Sequence, residues 1–301
     1  MSDKPWRGIF VIVVTPFTAG YELDEESLRK EVRFCIEAGA EGLVGPANAS
    51  EFPTLSDEER KRWLDIVISE AKGQIPVVAA TTCGHYLPAV ALSRWAQAAG
   101  ADGVMAMPPP ILSPGPDGCY DYYAALNRAL EIPICIQNYS GPAGTPMPTQ
   151  LLARMCRELA WVQYLKEETL PEPRAISKTL AAAGDTCKGV FGGQGGIYLL
   201  DEFRRGAHGN MPASQITDIH VDIWAKLVAG EEAGARKLYN QVLPLLNFER
   251  MHGVATYKEV LYRRGIFQTT ASRAPGKELD DQDRAELDAI LADVESMYRW
   301  S

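Results

Sequence analysis

Residues 102–137 read DGVMAMPPPILSPGPDGCYDYYAALNRALEIPICIQ. A short apolar run at 102–107 is followed by a Pro/Gly-rich turn, a helical stretch at 119–130 and a second apolar run at 132–137. Short runs bounded by turn residues suit buried strands, and the longer stretch between them carries a helical period. Strand, helix, strand is the crossover unit of a parallel sheet. The same alternation continues in both directions. Upstream lie runs at 8–14, 41–45 and 75–81, and downstream runs at 161–166, 188–191 and, more weakly, 206–211. Helical stretches at 24–38, 57–72, 87–99, 149–158, 171–183, 195–204 and 215–229 complete the series, with a start signal at Ser56-Asp57-Glu58-Glu59. Eight strand–helix units at a spacing of roughly thirty residues predict an α/β fold, a closed (β/α)₈ TIM barrel. An open doubly wound sheet is the alternative.

After the eighth unit only helices are predicted, over 231–250, 254–264 and 280–298, with a break near Ala274-Pro275-Gly276. The expected organisation is a barrel catalytic domain over 1–230 and a C-terminal helical extension over 231–301. The chain has 301 residues, 46% of them hydrophobic, enough for a large core. Its net charge of −9 is spread along helices, which leaves no footprint for nucleic acid. No apolar run is long enough to span a bilayer, and MSDKPWRG lacks the charged-then-apolar order of a signal peptide, so a cytoplasmic protein with no membrane partner is expected. Six cysteines are widely spaced with no CxxC, which predicts reduced packing residues rather than a zinc site or a disulfide framework.

A parallel barrel carries its active site at the C-terminal ends of its strands. Among the strand ends Lys166 stands out, because it closes the apolar run WVQYL and its ammonium must face the barrel mouth or the helix layer. A lysine shielded from water loses charge stabilisation, and the neutral amine so favoured attacks ketones. A lysine that merely snorkels, or pairs with Glu167 or Glu168, has the same spacing. Strand alternation puts Tyr164, Lys166 and Glu168 on one face. The loop GPANASE at 45–51 is a small-residue backbone able to offer N–H groups to a carboxylate, or simply a tight turn. GGQGG at 192–196 lacks the spacing of a nucleotide-binding loop.

Taken together, GIFVIVVTPF at strand one, the GxxxxSE loop ending at Glu51 with LSDEER after it, IPVVA at 75–79, MPPP after strand four, IPICIQN and YLKEE resemble the dihydrodipicolinate synthase and N-acetylneuraminate lyase family. The resemblance covers almost the whole chain. It implies that Lys166 forms a Schiff base with a 2-keto acid, without a cofactor or a metal, in a homotetramer built from dimers. The departures bear on the reaction. Gln137 stands where the family's YNxP tyrosine relays a proton, and Asn48 and Ala49 replace the paired hydroxyl residues of GTTGE. Pro109 or Pro110 takes the place of a second tyrosine, and SGPAGTPM at 140–147 has no counterpart of the arginine that holds a second carboxylate. A subgroup acting on 2-keto-3-deoxy sugar acids, the L-2-keto-3-deoxyarabonate dehydratases, is more similar: it shares Asn48-x-Ser50-Glu51, Gln137, MAMPP at 105–109, Lys166-x-Glu168, LPLLNFE at 243–249 and Arg299-Trp300.

The resemblance therefore implies a hydro-lyase acting on a small 2-keto acid. An amide such as Gln137 can orient a hydroxyl or a water and cannot relay a proton. The expected roles are Lys166 as nucleophile, Glu168 as proton carrier, Ser50 and the backbone at Ala49 as a carboxylate cradle, and Asn48 with Gln137 as positioners. Gly192, Gly193 and Asn210 are expected at the substrate. Glu168 as a plain ion-pair partner remains the alternative for that residue. For the whole chain, a pyruvate-releasing aldolase or a non-catalytic sugar-acid binder stays open. A metal enzyme is disfavoured, because His85, His208, His220 and His252 form no ligand set with strand-end carboxylates.

Overall fold

The computed structural model describes residues 5–142, 144–276 and 278–300; the first four residues of MSDKPWRG and Ala143 of SGPAGTPM lie outside the described residues. Eight parallel strands close in chain order: β1 Gly8–Ile12, β2 Gly42–Gly45, β3 Val77–Ala80, β4 Gly103–Ala106, β5 Ile134–Tyr139, β6 Val162–Glu168, β7 Gly189–Gly192 and β8 Gly209–Asn210. The barrel is closed by β8 pairing with β1, so the open-sheet alternative is excluded. Around it run α1 Glu25–Glu37, α2 Asp57–Ala71, α3 Tyr86–Ala99, α4 Pro116–Ala129, α5 Thr149–Glu158, α6 Glu172–Ala183, α7 Leu199–Arg204 and α8 Thr217–Val228. The start signal at Ser56 is a capping box: Ser56 Oγ accepts from the Glu59 N–H at 3.2 Å, and the Glu59 carboxylate accepts from the Ser56 N–H at 2.9 Å.

Alternation decides the two faces of every strand. Phe10, Ile12, Val44, Val78, Met105, Cys135, Tyr164, Phe191 and Met211 form one buried cluster inside the barrel, while Ile9, Val11, Leu43, Val77, Val104, Ile136, Leu165 and Val190 face the helices. The interior floor is aromatic. Trp6 stacks on Tyr164 with ring centroids 4.3 Å apart, and Phe10 meets Phe191 edge-on at 5.2 Å. Gly103 makes this possible, since a β-carbon there would lie inside the Trp6 ring envelope. The floor fills the lower barrel, and the cavity that holds the inward ends of the strands lies above it.

Two departures from the predicted elements shape that upper end. The predicted helix at 195–204 is shortened to α7, because Gly195 and Gly196 take φ values of 68° and 80° and break the first turn into a 3₁₀ turn at Gln194–Gly196. Conversely β5 and β6 each run two residues beyond their predicted ends, and Gln137 pairs with Lys166 and Tyr139 with Glu168 in register.

Beyond the barrel, α9 Glu232–His252, α10 Val254–Arg263 and α11 Asp281–Val294 form the C-terminal extension. It is more than an outer appendage, for α9 packs on the Gln194–Gly196 turn and α10 on the turn at Ser214–Ile216, both at the barrel mouth. Two buried ion pairs anchor it. Arg264 grips Asp218 through bonds of 3.0 and 2.7 Å, and Lys258 pairs with Glu51 in the loop after β2. The Glu51 carboxylate also accepts from the N–H groups of Arg273 and Ala274 at 2.9 and 2.7 Å. All six cysteines are unpaired, and all but the half-buried Cys83 are buried.

Candidate active site

β6 ends by turning Tyr164, Lys166 and Glu168 inward. The first is floor; the other two reach the space above it. Lys166 Nζ lies 3.2 Å from Glu168 Oε1, with both side chains about 6% exposed. From β5 the Gln137 amide donates to Glu168 Oε2 at 2.7 Å, and from the loop after β7 the Gln194 N–H donates to Oε1 at 3.2 Å. The ion pair anticipated as the plain alternative for Glu168 is thus present, and it is also the geometry a proton carrier beside a nucleophilic amine requires. Glu167, of opposite parity, points away and binds the Asn138 amide and Thr169.

Lys166 and Glu168 form the floor of a cavity of about 360 Å³, within the range of small-molecule sites. Asn48 and Ala49 line one wall and Tyr139 another. As the first residues of the 3₁₀ turn Asn48–Ser50, Asn48 and Ala49 have N–H groups that the turn itself does not use.

Five of the anticipated site residues stand behind the wall rather than in it: Gln137, which meets the cavity only through Glu168, and four others. Ser50 is fully buried; its hydroxyl donates to the Val13 carbonyl at 2.5 Å and accepts from the Ala47 N–H at 3.0 Å, so it pins the loop to β1 and has no proton left for a substrate. Gly192 backs onto Glu202, and a β-carbon there would overlap that carboxylate. Gly193 gives its space to Glu168, whose Cδ would lie 2.6 Å from a β-carbon at that position. Asn210 is buried and donates to the Gly193 carbonyl at 3.2 Å and to Glu202 at 2.8 Å, bracing the loop from below. Their neighbours Gln194, Gly195 and Met211 line the cavity instead.

Beneath that loop sits a pair of carboxyls. Glu172 and Glu202 are fully buried; Glu172 accepts from the Gly193 N–H at 2.6 Å, and each side chain has one oxygen without a donor. Burial pushes both upward, Glu202 to about 7, and the charge of Glu202 raises Glu172 further.

The C-terminal helices supply the rest of the wall, through Leu246, Glu249, Arg250 and Tyr257. Arg250 donates to the Gln194 side chain at 2.6 Å. One oxygen of Glu249 accepts from the Gln215 amide; the other is buried without a donor, and burial pushes the carboxyl up to about 8. Burial and the nearby charges of Glu249 and Glu168 raise the Tyr257 phenol. Leu246 and Glu249 fall within the LPLLNFE stretch at 243–249 that carries part of the family resemblance, but none of the four was assigned to the site from the sequence. Tyr139 follows from the parity of Gln137 once β5 is extended, whereas nothing in the pattern of α9 and α10 tells which helix face covers the barrel.

A parallel barrel whose mouth presents an inward lysine paired with a carboxylate defines the class of barrel lyases. The chain belongs to the dihydrodipicolinate synthetase family, which it matches over residues 5–294. It is 33% identical, over all of its own length and 98% of the relative's, to L-2-keto-3-deoxyarabonate dehydratase of Azospirillum brasilense. It is 34% identical to 4-hydroxy-tetrahydrodipicolinate synthase of Bradyrhizobium diazoefficiens over 82% of each chain. Among solved structures, dihydrodipicolinate synthase from Rhodopseudomonas palustris superposes with a TM-score of 0.89 at 28% identity, covering 96% of this chain and 97% of the other.

Proposed function

We propose that this chain is a Schiff-base-forming hydro-lyase that dehydrates a 2-keto-3-deoxy sugar acid, such as L-2-keto-3-deoxyarabonate, to a 2-oxo acid semialdehyde. The observation that carries the reading is the pair in the cavity, Lys166 at 3.2 Å from Glu168, with the Gln137 amide behind it at 2.7 Å from that carboxylate, where the family resemblance places a relay tyrosine.

In this reading the Lys166 amine adds to the C2 carbonyl and one water leaves, giving an iminium that acidifies the C3 hydrogens. Glu168 takes a C3 proton, and the resulting enamine expels the C4 hydroxyl as water. Loss of a C5 proton and return of the C3 proton leave a C4–C5 enol, which ketonises to the aldehyde. A second water hydrolyses the imine, so the net change is loss of one water. In this reading the N–H groups at Asn48 and Ala49, at the start of a 3₁₀ turn lining the cavity, receive the C1 carboxylate, and the Asn48 amide orients a hydroxyl. Ser50 acts only by holding that loop. No cofactor enters the scheme, and a cytoplasmic homotetramer completes it.

The decisive assay offers a 2-keto-3-deoxypentonate and measures 2-oxoglutarate semialdehyde against pyruvate, with borohydride trapping of the imine located by mass spectrometry. Semialdehyde and a modified Lys166 are expected; trapping at another lysine alone would overturn the Schiff-base assignment. A pyruvate-releasing aldolase is the second reading. One observation favours it, the Tyr139 phenol in the same cavity beside Glu168, and pyruvate as the main product would establish it. Tight binding of keto acids without turnover would make the chain a binder.

A further inference from the structure

A dehydration needs two proton movements at different carbons, and Glu168 is built for only one of them. Three donors converge on its carboxylate: the Lys166 ammonium and the Gln194 N–H on Oε1, and the Gln137 amide on Oε2. With donors on both oxygens, such a group is arranged to act as an acceptor at C3 and has no oxygen set aside to hand a proton to the departing hydroxyl.

Across the cavity stands a carboxyl with the opposite surroundings. Glu249 projects from the last turn of α9 and is 3% exposed. Its Oε1 is held by the Gln215 amide, while its Oε2 has no donor. The free oxygen lies against Gly195, where a β-carbon would be 3.2 Å away. Gly195 directly follows Gln194, whose N–H binds Glu168, so the two carboxylates flank one short stretch of backbone and stand no more than about 12 Å apart. Both residues line the same cavity of about 360 Å³. Burial without a cation beside it keeps this carboxyl protonated at neutral pH, pushed up to about 8.

We propose that Glu249 is the acid that protonates the departing C4 hydroxyl, leaving Glu168 to move the C3 proton; this rests on the dehydratase reading above. As the enamine nitrogen pushes its electron pair toward C3–C4, the C4–O bond breaks, the Glu249 proton transfers to that oxygen and water departs with the bonding pair. Glu249 is left as a carboxylate beside C5. It then takes the C5 proton, which restores the acid and produces the dienamine that Glu168 reprotonates at C3. The two carboxyls each end the cycle in their starting state.

The test is Glu249→Gln, which keeps the shape and an oxygen for the Gln215 amide. Three readouts separate the roles: borohydride trapping at Lys166, exchange of the C3 hydrogens for solvent deuterium, and release of the C4 substituent from a 2-keto-3-deoxypentonate and from its 4-fluoro analogue. Trapping and exchange are expected within a few-fold of the unchanged enzyme. Water loss should fall about 10²–10⁴-fold, the usual worth of a general acid, whereas fluoride, a leaving group that needs far less protonation, should depart nearly as fast as before. Normal water loss in the variant would overturn the proposal. So would equal losses of exchange, fluoride release and water release, which would mark Glu249 as a purely structural residue. If the unchanged enzyme forms the imine and exchanges C3 hydrogens yet never loses water, the dehydratase reading falls, and this proposal with it.

Discussion

Replacing Gly193 by alanine tests whether Glu168 sits where the chemistry occurs. Gly193 is not among the residues lining the cavity, so the change reaches the site through its neighbour Glu168. The added β-carbon would lie 2.3 Å from Glu168 Oε1, where ordinary contact begins at 3.4 Å. The carboxylate must therefore retreat by about 1.1 Å or more, or the loop must lift by as much. Neither happens without loss, because Oε2 is tied to Gln137 at 2.7 Å and the Gly193 N–H to Glu172 at 2.6 Å. A displacement of about 1 Å at a reacting group costs on the order of 10²-fold in rate, and overpacking of this kind destabilises by roughly 1–3 kcal/mol. Turnover measured by semialdehyde formation should fall by about that factor, with imine trapping at Lys166 retained. Gly84→Ala is the control, since nothing lies within 4 Å of a β-carbon there. Turnover of Gly193→Ala within about threefold of the unchanged enzyme, in a protein that melts at the same temperature, would refute the assignment of Glu168 as the proton carrier.

Glu168→Gln should retain imine trapping while kcat falls about 10²–10⁴-fold, and Gln137→Ala, which removes only a positioning amide, should cost less; the reverse order would route the proton through a water held by Gln137 and Asn48. Lys258→Met leaves the buried Glu51 carboxylate without its cation, so urea unfolding should show a loss of about 3 kcal/mol; a loss under about 1 kcal/mol would show that the N–H groups of Arg273 and Ala274 suffice. For Glu249, a folded value of about 8 against an ordinary 4.5 means that the unfolded chain ionises first as pH rises. Stability from this group is therefore fully present below pH 4.5, declines by about 1.4 kcal/mol per unit up to about pH 8 and is flat above. Between pH 5 and 7 the balance should shift toward Glu249→Gln at that rate, and a stability difference independent of pH would show that the carboxyl is already ionised.

The barrel was legible in the sequence because its signals are local. Each strand alternates with a period of two, each helix repeats near 3.6, and turn residues punctuate them, so eight units and their order emerge from runs such as 102–107 and 132–137. The same alternation placed Lys166 and Glu168 on one face, and the structure shows that face to be the interior. What the loop glycines and Ser50 do could not be read this way. Their tasks are set by partners on other elements: Val13 for Ser50, Glu202 for Gly192, and for Gly193 a glutamate whose carboxylate bends over it. The cavity wall from α9 and α10 is the extreme case. An amphipathic helix announces that one face will be buried and not against what, and only the docking of Lys258 onto Glu51 and of Arg264 onto Asp218 swings Glu249 and Tyr257 over the barrel mouth. Periodicity determined the scaffold and the lysine, whereas contacts between elements apart in the chain decided which side chains surround it, because such contacts leave no periodic trace.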